Sequence, residues 1–280
     1  MRHAVIMAGG VGTRLWPVSR QNAPKQFQKL IGDKTLIEEA FNRLSRTVDP
    51  KNIWVITTSD YCQITQDELP NINPKHILGE PEGRNTAPAV GYATLKVLEE
   101  DQEAVISVSP ADHYIGKEDS FVEVVKSAYE FLDDNPQYVV TIGIKPTEPH
   151  TGYGYIKTGN TIDKDITEVE KFVEKPDLET AKKFFESSEY LWNGGYYFFS
   201  GKQMAKYFEE FIPHTLELLQ DVVKNNHLEI YRQIPKESID TAVAEKVSKL
   251  AVIAADLDWS DIGNWSALHD VLEDRGQKII

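Results

Sequence analysis

The stretch Ala4-Val5-Ile6-Met7-Ala8-Gly9-Gly10-Val11-Gly12-Thr13-Arg14-Leu15-Trp16-Pro17 decides how this chain is read. Ala4–Met7 is an apolar run and reads as a buried strand. Three glycines then fall in four positions, where a backbone without Cβ atoms can approach a ligand and aim N–H groups at it. Thr13 adds a hydroxyl, and Arg14 a guanidinium fork suited to phosphate oxygens. Neither common glycine-loop motif fits. Counted from Gly9, a Walker A loop meets Arg14 where its second glycine belongs, and no Lys-Ser or Lys-Thr follows. The dinucleotide fingerprint starts at Gly10-Val11-Gly12 but finds Leu15 at its third glycine, and Pro17 interrupts the helix that would receive a pyrophosphate. A plain tight turn with scattered surface cations is the bland alternative. Against it, Arg14, Arg20 and Lys25 lie within 12 positions of a chain whose formal net charge is −14.

Working outward, apolar runs alternate with amphipathic stretches. Residues 53–57, 104–108 and 138–144 read as further strands. A helix opens at Thr35-Leu36-Ile37-Glu38 with a capping-box pattern, its face lined by Leu36, Ile37, Ala40, Phe41 and Leu44. Residues 87–99 and 118–133 also read as helices. Such alternation implies an α/β fold with a doubly wound, mostly parallel sheet. After about residue 145 the texture becomes that of a mixed sheet. Short strands are expected at 152–156 and 170–175, and Leu191–Phe199 is aromatic-rich around a glycine pair. Helices are expected at 201–224 and 239–248, then a strand at 251–257 and a helix after Gly263. No linker tract or repeat divides the chain. The expectation is one domain over 1–270, with a nucleotide-side lobe at about 1–145 and a sugar-side lobe at about 146–270. Residues 271–280 read as a tail, as if cut from a longer chain.

Composition narrows the classes. The chain has 280 residues, 41% hydrophobic and 26% charged, which allows a core of ordinary globular type. The acidic balance argues against a nucleic-acid surface, which needs a basic stripe. No apolar run approaches the ~20 residues of a membrane span, and the N-terminal run is too short for a signal peptide. With Cys62 the lone cysteine, a cytoplasmic location is the simplest expectation. Any polyanionic ligand must be met by local cations or a metal ion, because the long-range field repels it.

The motif Gly9–Pro17, followed by Ser19-Arg20 and Pro24-Lys25-Gln26-Phe27, resembles the opening of sugar-1-phosphate nucleotidyltransferases. Trp16 and Pro24–Phe27 narrow the resemblance to the mannose-1-phosphate guanylyltransferases (GDP-mannose pyrophosphorylases). Glu80-Pro81-Glu82-Gly83-Arg84-Asn85-Thr86-Ala87-Pro88, Pro110-Ala111-Asp112-His113, Phe172–Pro176, Trp192–Gly195, Ser238–Asp240 and Trp259–Trp265 continue it in order, over essentially the whole chain. Many relatives continue into a further C-terminal domain, which leaves the oligomeric state open, a homodimer included. The resemblance implies a Rossmann-like nucleotidyltransferase fold with a smaller sugar-binding lobe. It also implies the reaction of GTP with mannose 1-phosphate to give GDP-mannose and pyrophosphate, assisted by Mg²⁺.

Phosphate transfer of that kind is positioning and electrostatic stabilisation, with no protein nucleophile. Mg²⁺ takes one or two carboxylates plus phosphates and water. Asp112 and Asp261 each follow a strand, where open α/β sheets bind ligands, and the resemblance makes both metal ligands. Asp256-Leu257-Asp258 is a decoy: in an alternating strand its two carboxylates would share a face. Arg14 and Lys25 are candidates for the leaving triphosphate; with Asp112 and Asp261 they form the expected catalytic set. Nucleotide contacts are expected from Ala8, Gly9, Gly10, Gly12, Thr13 and Arg14, with Asn85 as both donor and acceptor to the base, Arg84 as donor only and Ser109 as a weaker candidate. Asn85 or Thr86 also reads as a helix cap. The sugar phosphate is expected at Gly152, Tyr153, Glu174, Lys175 and Asn193. Glu174 and Lys175 would face opposite ways unless their strand ends there. The rival readings are a relative of other base or sugar specificity, a non-catalytic regulatory subunit and a nicotinamide oxidoreductase. They are opposed by Trp16 and Arg84-Asn85-Thr86, by the complete catalytic set, and by Leu15 with Pro17, respectively.

Overall fold

The computed structural model describes residues 1–10 and 12–276. In chain order its elements are β1 (Arg2–Met7), α1 (Leu36–Leu44), β2 (Ile53–Thr58), α2 (Cys62–Glu68), β3 (Ile77–Glu80), α3 (Thr86–Glu100), β4 (Val105–Pro110), β5 (Tyr114–Ile115), α4 (Glu118–Asp134) and β6 (Val139–Ile144). They continue with β7 (Tyr155–Asp163), β8 (Ile166–Val173), α5 (Leu178–Glu186), β9 (Tyr190–Ser200), α6 (Gly201–Phe211), α7 (Pro213–Asn225), α8 (Leu228–Tyr231), β10 (Leu250–Ala255), β11 (Trp259–Ser260) and α9 (Trp265–Asp274). One nine-stranded sheet runs β3-β2-β1-β4-β9-β6-β10-β8-β7. Only β8 and β9 run against the other seven, so the sheet is mixed and mostly parallel, as expected.

The central strands are buried on both faces, hence their unbroken apolar character. Ala4, Val5 and Ile6 are fully buried, and a large apolar cluster covers each side of the sheet. The helix α1 starts where the capping box predicts: Thr35 accepts from the Glu38 N–H at 3.4 Å, and Glu38 accepts from the Thr35 N–H at 2.7 Å. The glycine pair in β9 marks a register shift against β6, with Gly195 at φ 75°. A glycine there takes the left-handed turn without strain.

Three features hold the loops that follow the strands. A third apolar cluster unites Leu15, Ile31, Leu36, Tyr114, Ile262, Leu268 and Val271. Leu15, the residue that spoils the dinucleotide fingerprint, is thus an anchor that pins the glycine loop to α9. The strands β5 and β11 pair antiparallel, Tyr114 opposite Ser260, and bring the loops carrying Asp112 and Asp261 side by side. Ile262 sits at φ 43° with no exposure, a costly conformation for a β-branched residue that surrounding packing must hold.

Several expectations need correction. The helix expected at 201–224 is two, because Pro213 offers no N–H and starts α7 after a break at Ile212. The helix expected at 239–248 is a five-residue π-helical turn, Asp240–Ala244. The strand expected at 251–257 ends at Ala255, so the Asp256-Leu257-Asp258 alternation never forms. Asp256 pairs instead with Lys117, and Asp258 lies at φ 50° against Gly116. Residues 271–274 of the expected tail belong to α9, and 277–280 lie outside the described residues.

Candidate active site

The loops that follow β1, β3, β4, β6 and β10 all leave from the same edge of the sheet, the carboxyl ends of parallel strands. Two cavities open there. One, of about 400 Å³, is lined by Gly9 and Gly10 after β1, Glu80 ending β3, Asn85 and Thr86 at the start of α3, and Asp112, His113, Gly195, Tyr197 and Asp240. The other, of about 180 Å³, is lined by Gly12, Arg14, Leu15, Lys25, Asp112, His113, Asp261, Ile262 and Gly263. Asp112 and His113 belong to both and form the seam. A larger cavity, about 610 Å³, lies elsewhere between α4 and the β7–β8 turn. Glu123, Glu130, Asp134, Asp163, Asp165 and Asp256 line it, which makes it a poor home for a polyphosphate.

The smaller cavity gathers all four expected catalytic residues, Arg14, Lys25, Asp112 and Asp261. Lys25 is buried in its floor, its ammonium 2.9 Å from Asp112 Oδ2 and donating to the Asp261 carbonyl. Gly12 makes this possible. It lies at φ 68°, and a Cβ there would sit 2.5 Å from Lys25 Cβ. Burial alone would raise the Asp112 carboxyl, but the Lys25 charge prevails and holds it below the usual carboxylate range. Asp261 Oδ1 accepts from the Tyr153 hydroxyl at 2.8 Å and from the Gly263 N–H at 3.0 Å. Burial, then the Asp261 charge, raises the Tyr153 hydroxyl well above its ordinary value, so it stays a donor.

Among the described residues no group of three or more His, Cys, Asp and Glu side chains could hold a metal by itself. Two carboxylates meeting at one cavity suit a hard ion that completes its shell from substrate phosphates and water. They do not suit a closed protein cage.

In the cavity of about 400 Å³ the decisive side chain is one the motif reading passed over. Glu80 is buried at the end of β3, with the Tyr231 hydroxyl donating to Oε1 at 2.6 Å and the Arg84 backbone N–H donating to the carboxylate. Oε2 faces the glycine loop, 3.3 Å from where a Gly9 Cβ would be. Burial pushes the carboxyl up to about 7 even though both donors pull it down. The available signal was a lone acid closing an apolar tetrad before Pro81. Asn85, at φ 71°, uses its Oδ1 to accept from the Thr86 N–H and caps α3, while Thr86 Oγ1 accepts from the Ile239 N–H.

Other expected residues stand apart. Ser109 is displaced by strand periodicity: Val108 and Pro110 line the cavity, so Ser109 turns to the opposite face. Ala8 lies beneath the loop, its carbonyl accepting from Gln26 at 2.6 Å and Thr57 at 2.9 Å. Thr13 is exposed and lines neither cavity. The Arg84 guanidinium turns away to the Arg232 carbonyl and Glu82. Arg20 borders a separate surface hollow with Asp60 and Tyr61.

The expected sugar-phosphate set lies outside both linings but touches them. Tyr153 reaches Asp261, and its ring stacks on His150 at 4.0 Å beside exposed Gly152. Because β8 ends at Val173 and Lys175 takes φ 45°, Glu174 and Lys175 pair with each other, and the opposite-face objection lapses. Burial, then the Asp240 charge, raises the Glu174 carboxyl. Asn193 is engaged through both ends of its amide. Oδ1 accepts from Thr141 at 2.8 Å and the Gly195 N–H at 3.3 Å; Nδ2 donates to Tyr197 at 2.9 Å and Asp240 at 3.0 Å.

A mostly parallel sheet, a glycine loop after its first central strand, and paired carboxylates and cations at the same edge define a nucleotide-handling α/β protein. The chain belongs to the nucleotidyl transferase family, whose model matches residues 3–278. It is 39% identical over 95% of its length to a mannose-1-phosphate guanylyltransferase of Escherichia coli, covering 61% of that protein. It is 38% identical over 95% of its length to one of Klebsiella pneumoniae, covering 59%. It thus spans about three fifths of these curated relatives. A solved structure described as a mannose-1-phosphate geranyltransferase from Thermus thermophilus superposes with a TM-score of 0.90 at 36% identity, covering 97% of this chain and 79% of that one. Among the described residues no helix is long and apolar enough to cross a membrane.

Proposed function

We propose that this chain transfers a guanylyl group, making GDP-mannose and pyrophosphate from GTP and mannose 1-phosphate. The observation that carries this reading is the pair of joined cavities, one with a buried carboxylate acceptor and the other with Arg14, Lys25, Asp112 and Asp261 around one small space. Guanine presents adjacent N1–H and N2–H donors, and an ionised Glu80 is the acceptor that suits them. Adenine offers an acceptor at N1 and no 2-amino group, so it would set an acceptor against the Glu80 carboxylate, which is costly in a buried site. The names of the relatives support the same base and sugar.

In the reaction a phosphate oxygen of mannose 1-phosphate attacks the α-phosphorus of GTP in line. The bond to the bridging oxygen of the β-phosphate breaks, and pyrophosphate leaves with that electron pair. Arg14 and Lys25 hold the β- and γ-phosphates as their charge grows. Gly9 and Gly10 line the neighbouring cavity beside Glu80 and leave room there for the nucleoside end of GTP, while Glu174, Lys175 and Gly152 orient the sugar phosphate. Asp112 and Asp261 would hold Mg²⁺, which supplies charge neutralisation between the two anions when bound. A reaction between soluble nucleotides and sugars suits a cytoplasmic protein.

The test is a pyrophosphate-release screen of sugar 1-phosphates against nucleoside triphosphates with Mg²⁺. Preference for GTP with mannose 1-phosphate is the expected result; preference for another pair overturns the reading. Asp112→Asn should abolish metal-dependent turnover while GTP binding survives, and near-normal turnover would remove Asp112 from the mechanism.

A further inference from the structure

His113 is the one side chain besides Asp112 that lines both cavities. Its surroundings fix its state. The Trp259 indole N–H, which can only donate, reaches His113 Nδ1 at 3.2 Å. Nδ1 is therefore the acceptor and carries no proton, so the imidazole is neutral with its proton on Nε2. The ring is held edge-on to Trp259 and Tyr196, with centroids 5.3 and 5.7 Å away, and the backbone carbonyl accepts from Arg43 at 3.2 Å. Nε2 has no partner among the described residues, nor is it sealed from the cavities. Gly195 lies beside the ring and lines the larger of the two joined cavities with it, a Cβ there falling 3.7 Å from His113 Cε1, an ordinary contact distance.

We propose that the His113 Nε2–H donates a hydrogen bond to a non-bridging oxygen of the α-phosphate at the seam, making His113 a catalytic residue. This rests on the guanylyl-transfer reading above. The cations lie in the smaller cavity and the base acceptor in the larger one, so a nucleotide spanning both carries its α-phosphorus past the seam. During attack the non-bridging oxygens of that phosphorus keep their negative charge in a more crowded shell, and a fixed donor stabilises them. The proton stays on Nε2 throughout; the new P–O bond forms from the sugar phosphate and the old one breaks to pyrophosphate. A neutral donor also leaves the charge of Asp112 undiminished. An imidazolium would need a second proton on Nδ1, where the Trp259 N–H already points.

The test compares His113→Gln, whose amide can place an N–H near the Nε2 position, with His113→Asn, whose shorter amide cannot. His113→Asn should lower kcat about 100-fold with the KM for GTP changed less than threefold, as for loss of one oxyanion donor. His113→Gln should regain at least tenfold of that loss, and equal melting temperatures would exclude a folding defect. In ¹⁵N NMR of imidazole-labelled protein, the free chain should show the Nε2–H tautomer, and GTP with Mg²⁺ should shift the Nε2 signal. An Asn variant retaining a third of kcat, a Gln variant no better than Asn, a proton on Nδ1 or an Nε2 signal indifferent to GTP would each overturn the proposal. A wild type that prefers another nucleotide overturns the guanylyl reading alone, and the same comparison then judges His113 with that nucleotide. If no pair turns over, the NMR response to GTP decides.

Discussion

Glu80 and Asp112 are both carboxylates of one site, yet their neighbours pull them in opposite directions. Asp112 faces a buried ammonium and stays ionised well into acid. Glu80 meets only neutral donors, so desolvation wins and its pKa rises to about 7. On the guanylyl-transfer reading, accepting N1–H and N2–H requires the ionised form, and that form is lost as pH falls through about 7. Protons and GTP therefore compete. The KM for GTP should rise about fivefold between about pH 7 and pH 6, because one proton is displaced per nucleotide bound. Glu80→Gln should raise the KM for GTP at neutral pH and flatten the profile; a parallel profile in the variant would assign the titration elsewhere. Lys25 is a second residue whose role and burial can be separated. Removing one partner of a fully buried ion pair costs about 3–5 kcal/mol, but the Asp112 side chain is 36% exposed, so water can take the place of the lost ammonium. Lys25→Met should thus lower kcat at least about 100-fold while thermal unfolding moves by only a few degrees. A collapse of the fold would instead make Lys25 a structural counter-ion of Asp112.

Elements long enough to show a period were legible in the sequence. The strands β1, β2, β4 and β6 are apolar runs, and α1 and α4 show one-sided faces. The elements that assemble the site are shorter than any period. β3 spans four residues, two of them Gly79 and Glu80, and β5 and β11 span two each. Their pairing exists only because the chain folds back over more than a hundred residues, so no local window contains it. The same limit explains Ser109, which neighbours Asp112 in sequence but points the other way, and Glu80, hidden behind the more conspicuous Arg84 and Asn85. Arg14, Lys25, Asp112 and Asp261 could be singled out because their loops follow readable strands, and the structure brings all four to one cavity. Leu15 shows how packing enters function at this scale. It is buried in the cluster that joins the glycine loop to Tyr114 and Ile262. Leu15→Ala should cost about 2–5 kcal/mol in urea unfolding, as buried leucine truncations do, and should also lower kcat of the folded enzyme. Leu44→Ala, equally buried in α1 away from the site, should cost similar stability without the rate loss. Equal rate losses would show that the cluster does not position the loop.

Across the whole molecule the acidic balance works against the substrates. On the guanylyl-transfer reading a chain of net charge −14 binds two polyanions; Arg14 and Lys25 stand at the carboxyl edge of the sheet, while the groove beside α4 is lined mainly by carboxylates. At low salt the far charges reach the approaching nucleotide; near 0.1 M their reach shrinks to about 10 Å. Contacts inside the small cavity are screened much less. Raising salt from about 10 to about 100 mM at fixed Mg²⁺ should therefore increase kcat/KM for GTP, by a factor of about two to five if the field resembles other steering fields in strength. Still higher salt should reverse the trend as it weakens pairing with Arg14. The triple variant Glu123→Gln, Glu130→Gln, Asp134→Asn removes three carboxylates from the acidic groove and touches no residue of the site. It should raise kcat/KM at low salt, leave kcat unchanged and flatten the rising limb. A rate that falls with salt from the start would mean that Arg14 and Lys25 govern the approach as well as the chemistry, and that the surface charge is electrostatically remote from it.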